Sequence, residues 1–209
     1  MAITKVSEKG LAELIKTEGV RYQVYDDANG KPISSYSQAR GYPTIGVGHL
    51  IKKSERDYFS KYLKGRGKLS KSQVMKLLAK DMPKYTDPVL KRIKQPITQS
   101  MLDALVSLAY NTGTNSRSVK GAIAKINEKD YKGASQEIAN GPTTSKGRTL
   151  KGLVKRRKRE AEWFLEDGKP GSLLQRIFFW TGMTAGTIAV SLVGWNFATG
   201  KKLLGGDGE

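Results

Sequence analysis

The chain has 209 residues, 38% hydrophobic and 27% charged, enough for one globular domain plus an appendage, and its composition excludes general disorder. It has no cysteine, which excludes a disulfide framework and a thiolate metal site while leaving the compartment open. A net charge of +18 requires an acidic partner such as nucleic acid, anionic lipid or an envelope polymer; without zinc-finger spacing or an aromatic-interleaved basic strand, it reads as adhesion and steering, with no specific nucleic acid as partner.

The first ten residues are polar, with no apolar stretch of the kind a cleavable secretory signal needs. Leu11, Leu14 and Ile15 recur at helical spacing over residues 8–17, with Ser7 placed as N-cap and Gly19 as stop. Glu18 then falls at the helix C-terminus, where the peptide dipole is negative and disfavours an ionised carboxylate. Tyr22 and Val24 read as a strand, as does Thr44-Ile45-Gly46-Val47-Gly48-His49, so a small antiparallel sheet is expected. Between them, residues 31–43 form a long polar turn. Ser70 and Gln73 make a capping box ahead of Val74, Leu77 and Leu78. Thr98 opens a segment whose apolar face, Met101 to Ala109, is broad enough for a buried central helix. Further helices are expected around Val119–Ile126, over 131–139 and over 153–165, with a loop at 140–152. Residues 168–176 carry Gly168, Pro170 and Gly171 and read as a linker. The expected organisation is a catalytic domain at 1–167, this linker, and an apolar tail at 177–209.

From Ile177 to Ala198 there are 22 residues without a charge. As a helix they would extend roughly 33 Å, enough to cross a hydrocarbon core of about 30 Å. Arg176, Lys201 and Lys202 flank the run, Trp180 and Trp195 stand near its ends, and Gly182 and Gly186 make a GxxxG step. It reads as a membrane anchor or as a helix buried against virion proteins, with the membrane favoured.

In TEGVRYQVYDDANG, residues 17–30, two acidic positions bracket a turn. Glycosidic hydrolysis needs one carboxyl that carries a proton and another that stays ionised. Glu18 suits the first role and Asp27 the second; the plain alternative is a solvated helix end followed by turn-forming aspartates. Gly46 and Gly48 would allow close backbone approach at the floor of a sugar cleft, or would mark a bend in the strand. Arg21 is spaced from Glu18 for a buried ion pair or hydrogen bond that would hold the acidic turn in shape, the alternative being a solvated arginine. The basic run at 151–159 reads as a solvated face with Arg156–Glu160 and Lys158–Glu162 pairs, or as a cationic rim for an anionic wall. His49 is the only histidine and has no second metal ligand of the usual type nearby, so no metal and no cofactor are expected.

Glu18, Gly19, Arg21, Tyr25, Asp26, Asp27 and the strand Thr44-Ile45-Gly46-x-Gly48-His49 closely resemble the signature of the phage-type lysozymes, glycoside hydrolase family 24, similar to T-even and lambdoid phage muramidases. LVSLAYNTG at 105–113 and LKGLVKRRKREAEWF at 150–164 extend the resemblance over nearly all of 8–166. It implies an α+β lysozyme-like fold, with a small antiparallel sheet lobe and a mainly helical lobe, to which this chain adds a C-terminal hydrophobic helix. It implies Glu18 as general acid, Asp27 as the residue that orients water or stabilises the transition state, and Thr44 as the hydroxyl that holds the water. Gly46, Asn111 and Thr143 would bind substrate, and His49 would pair with Asp81 as a structural ion pair, so that His49→Asn lowers stability more than activity. The implied reaction is hydrolysis of the β-1,4 bond between N-acetylmuramic acid and N-acetylglucosamine in bacterial peptidoglycan, by a phage virion or lysis enzyme. A lytic transglycosylase could dispense with Asp27 and Thr44; a silent structural or envelope-binding virion protein could dispense with all three. The turn before Thr44 is longer than in the smallest members and brings in Tyr36, Arg40 and Tyr42.

Overall fold

In the computed structural model, residues 3–145 and 147–171 are described. The apolar run at 177–198, with the helix expected for it, and most of the expected linker lie outside them.

Helix α1 spans Glu8–Glu18. The Ser7 hydroxyl accepts from Gly10 N, and Gly19 closes the helix at φ +77° with its N–H on Ile15 O. That left-handed turn suits glycine and throws the chain directly into the sheet. Strands β1 (Arg21–Asp26), β2 (Pro43–Gly46) and β3 (His49–Leu50) form an antiparallel sheet in that order, with Tyr25 opposite Thr44 and Ile45 opposite His49.

The strand expected over 44–49 is therefore two strands, because Val47-Gly48 makes a two-residue hairpin turn. Gly46 and Gly48 both have positive φ, +69° and +76°. This is the bend reading of the two glycines. The close approach is to side chains rather than backbone: a Cβ on Gly46 would stand 3.3 Å from Leu77, and one on Gly48 3.3 Å from the Tyr110 hydroxyl.

A short helix α2 (Arg56–Phe59) leads to α3 (Lys71–Asp81), which carries the expected Ser70–Gln73 capping box, and to α4 (Pro83–Leu90). Helix α5 (Gln99–Thr112) runs through the centre, with Met101, Leu102, Ala104, Leu105, Val106, Leu108 and Ala109 fully buried. Around it pack α1, α4, α6 (Arg117–Asn127) and α8 (Lys151–Phe164), with α7 (Tyr131–Ala139) against α6 and α8. Each large aliphatic side chain buried here contributes about 1.5–3 kcal/mol. The polar residues on α5 are all bonded: Asp103 accepts from Ser7 N at 2.9 Å, and Ser107 donates to Glu160 at 2.6 Å.

The segment expected as a loop at 140–152 holds a small hairpin, β4 (Thr144–Ser145) with β5 (Arg148–Thr149). Two-residue strands are too short to leave a periodic signal. Among the described residues no helix is long and apolar enough to cross a membrane.

Candidate active site

Glu18 ends α1 with its side chain one-quarter exposed. The pairing expected with Arg21 does not form. The turn at Gly19 places Arg21 opposite Gly46 on an exposed strand position, and its charge acts on Tyr25 instead. Glu18 meets Arg156 of α8, whose Nη1 is 2.5 Å from Oε1. Arg156 in turn places Nε 3.0 Å from Glu160 Oε1 and donates from Nη2 to Ser107 O at 3.3 Å.

Behind it Arg157 is 1% exposed. It donates to Asn111 Oδ1 at 2.7 Å and stands 2.9 Å from Glu160 Oε2. Burial pushes the Arg157 guanidinium below its ordinary value, against the pull of Glu160. The basic helix is thus solvated on only one side. Lys158–Glu162, at 3.9 Å, belongs to that exposed side, while Arg157 and Glu160 are buried beneath α5 and Arg156 is half-buried beside them. Helical spacing alone signals the Arg156–Glu160 pair; it cannot signal a partner 138 positions away on α1.

The two aspartates have opposite environments. Asp26 is fully buried. Its oxygens accept from Ala28 N (3.1 Å), Gly41 N (2.9 Å), Arg40 N (3.1 Å) and Asn29 Nδ2 (2.8 Å). Burial pushes its carboxyl up, but the N–H groups of Gly41, Arg40 and Ala28 and the Arg40 charge outweigh it, and the group sits below its ordinary value. Asp27 is exposed, and its Oδ1 accepts from Tyr42 N at 2.6 Å. The Tyr42 carbonyl receives Asp27 N at 3.2 Å and the Thr44 hydroxyl at 3.0 Å. The backbone of one residue, Tyr42, therefore orients both Asp27 and Thr44. Thr44 is 2% exposed and its proton is committed inward, so its oxygen is left as an acceptor.

Three tyrosines feel the charge of Glu18 or Asp27. Tyr85 and Tyr110 pack with ring centroids 4.6 Å apart, and the Tyr110 hydroxyl donates to Val47 O in the hairpin turn. Burial raises the phenols of Tyr25, Tyr85 and Tyr110. Glu18 raises Tyr85 and Tyr110 further, and Asp27 raises Tyr25. Tyr110 also feels Tyr25. Asn111 accepts from Arg157, while Thr143 stands half-buried at the base of the β4–β5 hairpin, its carbonyl on Leu150 N at 2.9 Å.

His49 lies behind the hairpin with Nδ1 2.7 Å from Asp81 Oδ2, while Lys84 Nζ is 2.7 Å from Asp81 Oδ1. On its far side His49 Nε2 is 3.4 Å from Glu55. Burial raises the Asp81 carboxyl, but hydrogen bonds from His49 and Lys84 win and hold it below its ordinary value. Among the described residues no cluster of His, Asp and Glu could hold a metal. A concavity of about 630 Å³ lies between the N-terminal arm, α3, α4 and the start of α5, and neither Glu18 nor Asp27 lines it.

A family profile described as phage lysozyme matches residues 15–160. The endolysin of Acyrthosiphon pisum secondary endosymbiont phage 1 is 29% identical over 162 residues, covering 76% of this chain and 97% of that protein. The SAR-endolysin of Enterobacteria phage P21 is 34% identical over 93 residues, covering 44% of this chain and 56% of that protein. The crystal structure of a P22 lysozyme mutant superposes with a TM-score of 0.60 at 25% identity, covering 78% of this chain and 99% of that one.

Proposed function

The chain belongs to the phage lysozyme family, and from this premise, that it is a peptidoglycan-degrading glycoside hydrolase of the endolysin kind, we propose a division of labour at its site. Glu18 is the general acid, protonating the leaving glycosidic oxygen. Asp27 orients the water that attacks the anomeric carbon and takes a proton from it. Thr44 accepts the second hydrogen of that water. The proton lost by Glu18 is matched by the one gained at Asp27, and both are restored through solvent after product release.

The observation that carries this reading is the contrast between the neighbouring aspartates. Asp26 is consumed by four hydrogen bonds inside the turn, whereas Asp27 is anchored through one oxygen by Tyr42 N and leaves the other open. The buried Thr44 hydroxyl supports the same reading, since its proton is already spent and its lone pairs suit a water donor. Gly46, Asn111 and Thr143 are proposed as sugar contacts, with Asn111 held in place by Arg157.

The proposed bond is the β-1,4 link between N-acetylmuramic acid and N-acetylglucosamine, the chemistry of glycoside hydrolase family 24. Digestion of purified peptidoglycan followed by mass spectrometry tests this. Reducing N-acetylmuramic acid ends, with one oxygen from labelled water, are expected. Anhydro-muramic ends would assign a transglycosylase instead, and no cleavage would leave an envelope-binding protein.

The uncharged run at 177–198 supports a further proposal, attachment to a membrane in preference to virion proteins. Flotation of the full chain with anionic lipid vesicles, compared with a chain ending at Gly171, tests it. Equal flotation of the two would count against it.

A further inference from the structure

Arg156 serves two carboxylates, and only one of them belongs to the chemistry proposed above. Its Nη1 holds Glu18 at 2.5 Å, while its Nε holds Glu160 at 3.0 Å. Glu160 is nearly inaccessible, with 4% of its side chain exposed, and the hydrogen bonds to its carboxylate all go to one oxygen, Oε1. Ser107 donates to the same oxygen that Arg156 approaches, and Arg157 stands 2.9 Å from the other. Arg157 reaches past it to Asn111. A buried carboxylate with two guanidiniums beside it does not serve solubility, and burying such a layer is costly unless it is retained for geometry.

We propose that Glu160 is a positioning residue for hydrolysis: by sharing Arg156 with Glu18 it keeps the guanidinium oriented toward Glu18 while offsetting its charge, so that Glu18 is held in place yet able to take up and give a proton. Through Arg157 the same carboxylate fixes Asn111 at the end of α5. The assignment rests on Glu18 being the acid. The charged and titratable groups facing Glu18 are Arg156 and, at longer range, Arg157 from α8, Tyr85 from α4 and Tyr110 from α5. Glu160 faces Ser107 from α5 together with Arg156 and Arg157 on its own helix. Lys16, Lys155 and Arg159 line a groove that reaches Arg156 and Glu160 from outside, and Glu13 lines it as well. None of these touches the Arg156 atoms that hold the two carboxylates.

With Glu160 neutralised, Arg156 has Glu18 as its only close anion. A bare opposite charge within about 4–6 Å favours the ionised carboxyl, so activity would require more acidic solution. The test is the pH–rate profile of peptidoglycan clearing by the full chain for wild type, Glu160→Gln and Glu18→Gln. Glu160→Gln is expected to move the alkaline limb to lower pH by on the order of one unit, with kcat reduced. Glu160→Asp, which keeps the charge, is expected to restore the limb partly. Because Glu160→Gln leaves Arg157 buried without its counter-ion, the double variant Arg157→Met with Glu160→Gln removes the pair as a unit, and the same displacement is expected of it. A variant that unfolds part of the protein lowers the whole profile without moving its limbs. Limbs that coincide with wild type in both the single and the double variant overturn the proposal. If Glu18→Gln itself clears at the wild-type rate, the assignment of the acid has failed, and the two failures are thereby distinguished.

Discussion

Replacing His49 with Asn should lower stability far more than turnover. The imidazole is 4% exposed and its partner Asp81 12%, at a separation of 2.7 Å. Breaking a buried pair by removing one partner costs about 3–5 kcal/mol. Asp81 keeps Lys84 at 2.7 Å and some access to water, which places the loss near the lower end. For a domain of this size, about 3 kcal/mol corresponds to roughly 6–12 °C in Tm. The pH dependence has a definite sign. The Asp81 carboxyl is held below its unfolded value of 3.8. Its stabilisation is therefore fully present above about pH 5 and is lost as pH falls through the folded value. Thermal unfolding followed by circular dichroism between pH 3 and pH 7, on wild type, His49→Asn and Asp81→Asn, measures this. The gap between wild type and Asp81→Asn should shrink as pH falls below about 5. A Tm unchanged at pH 6 together with lost turnover would refute the structural role. A gap that widens with acid would refute the sign.

The neighbouring aspartates should separate by assay. Asp27→Asn is expected to cut kcat by about 10²-fold or more with Tm unchanged, whereas Asp26→Asn should lower Tm in thermal unfolding, because four donors lose their charged acceptor. Tyr110→Phe strands the Val47 carbonyl and should cost about 1–3 kcal/mol in urea denaturation. Gly48→Ala forces a side chain into φ +76° against the Tyr110 hydroxyl and should cost at least about 1 kcal/mol in the same measurement.

Much of this molecule is legible in its sequence because the signals are local. Ser7, Gly19 and the Ser70–Gln73 box mark helix ends that depend on neighbouring residues alone, and the apolar face of α5 encloses the centre of the core. Signals that depend on the third dimension were not available. Arg21 is three positions from Glu18, yet the glycine turn carries it to an exposed position on β1 opposite Gly46, and Arg156 arrives from α8. The basic run at 151–159 looks uniform by composition, while packing against α5 buries Arg157 and leaves Lys158 in water. Gly46 and Gly48 fit an extended strand by spacing, and only their positive φ values turn Val47-Gly48 into a hairpin. Tyr42 lies in a stretch with no periodicity, so its backbone hold on Asp27 and Thr44 leaves no trace in residue type.

The central claim is that one carboxyl, at the end of α1, delivers the proton that breaks the glycosidic bond. Clearing of purified cell walls by wild type and by Glu18→Gln, matched for folded protein by circular dichroism, measures it directly. Loss of about 10²-fold or more with an unchanged fold is the expected result. Clearing at the wild-type rate by Glu18→Gln would contradict the account.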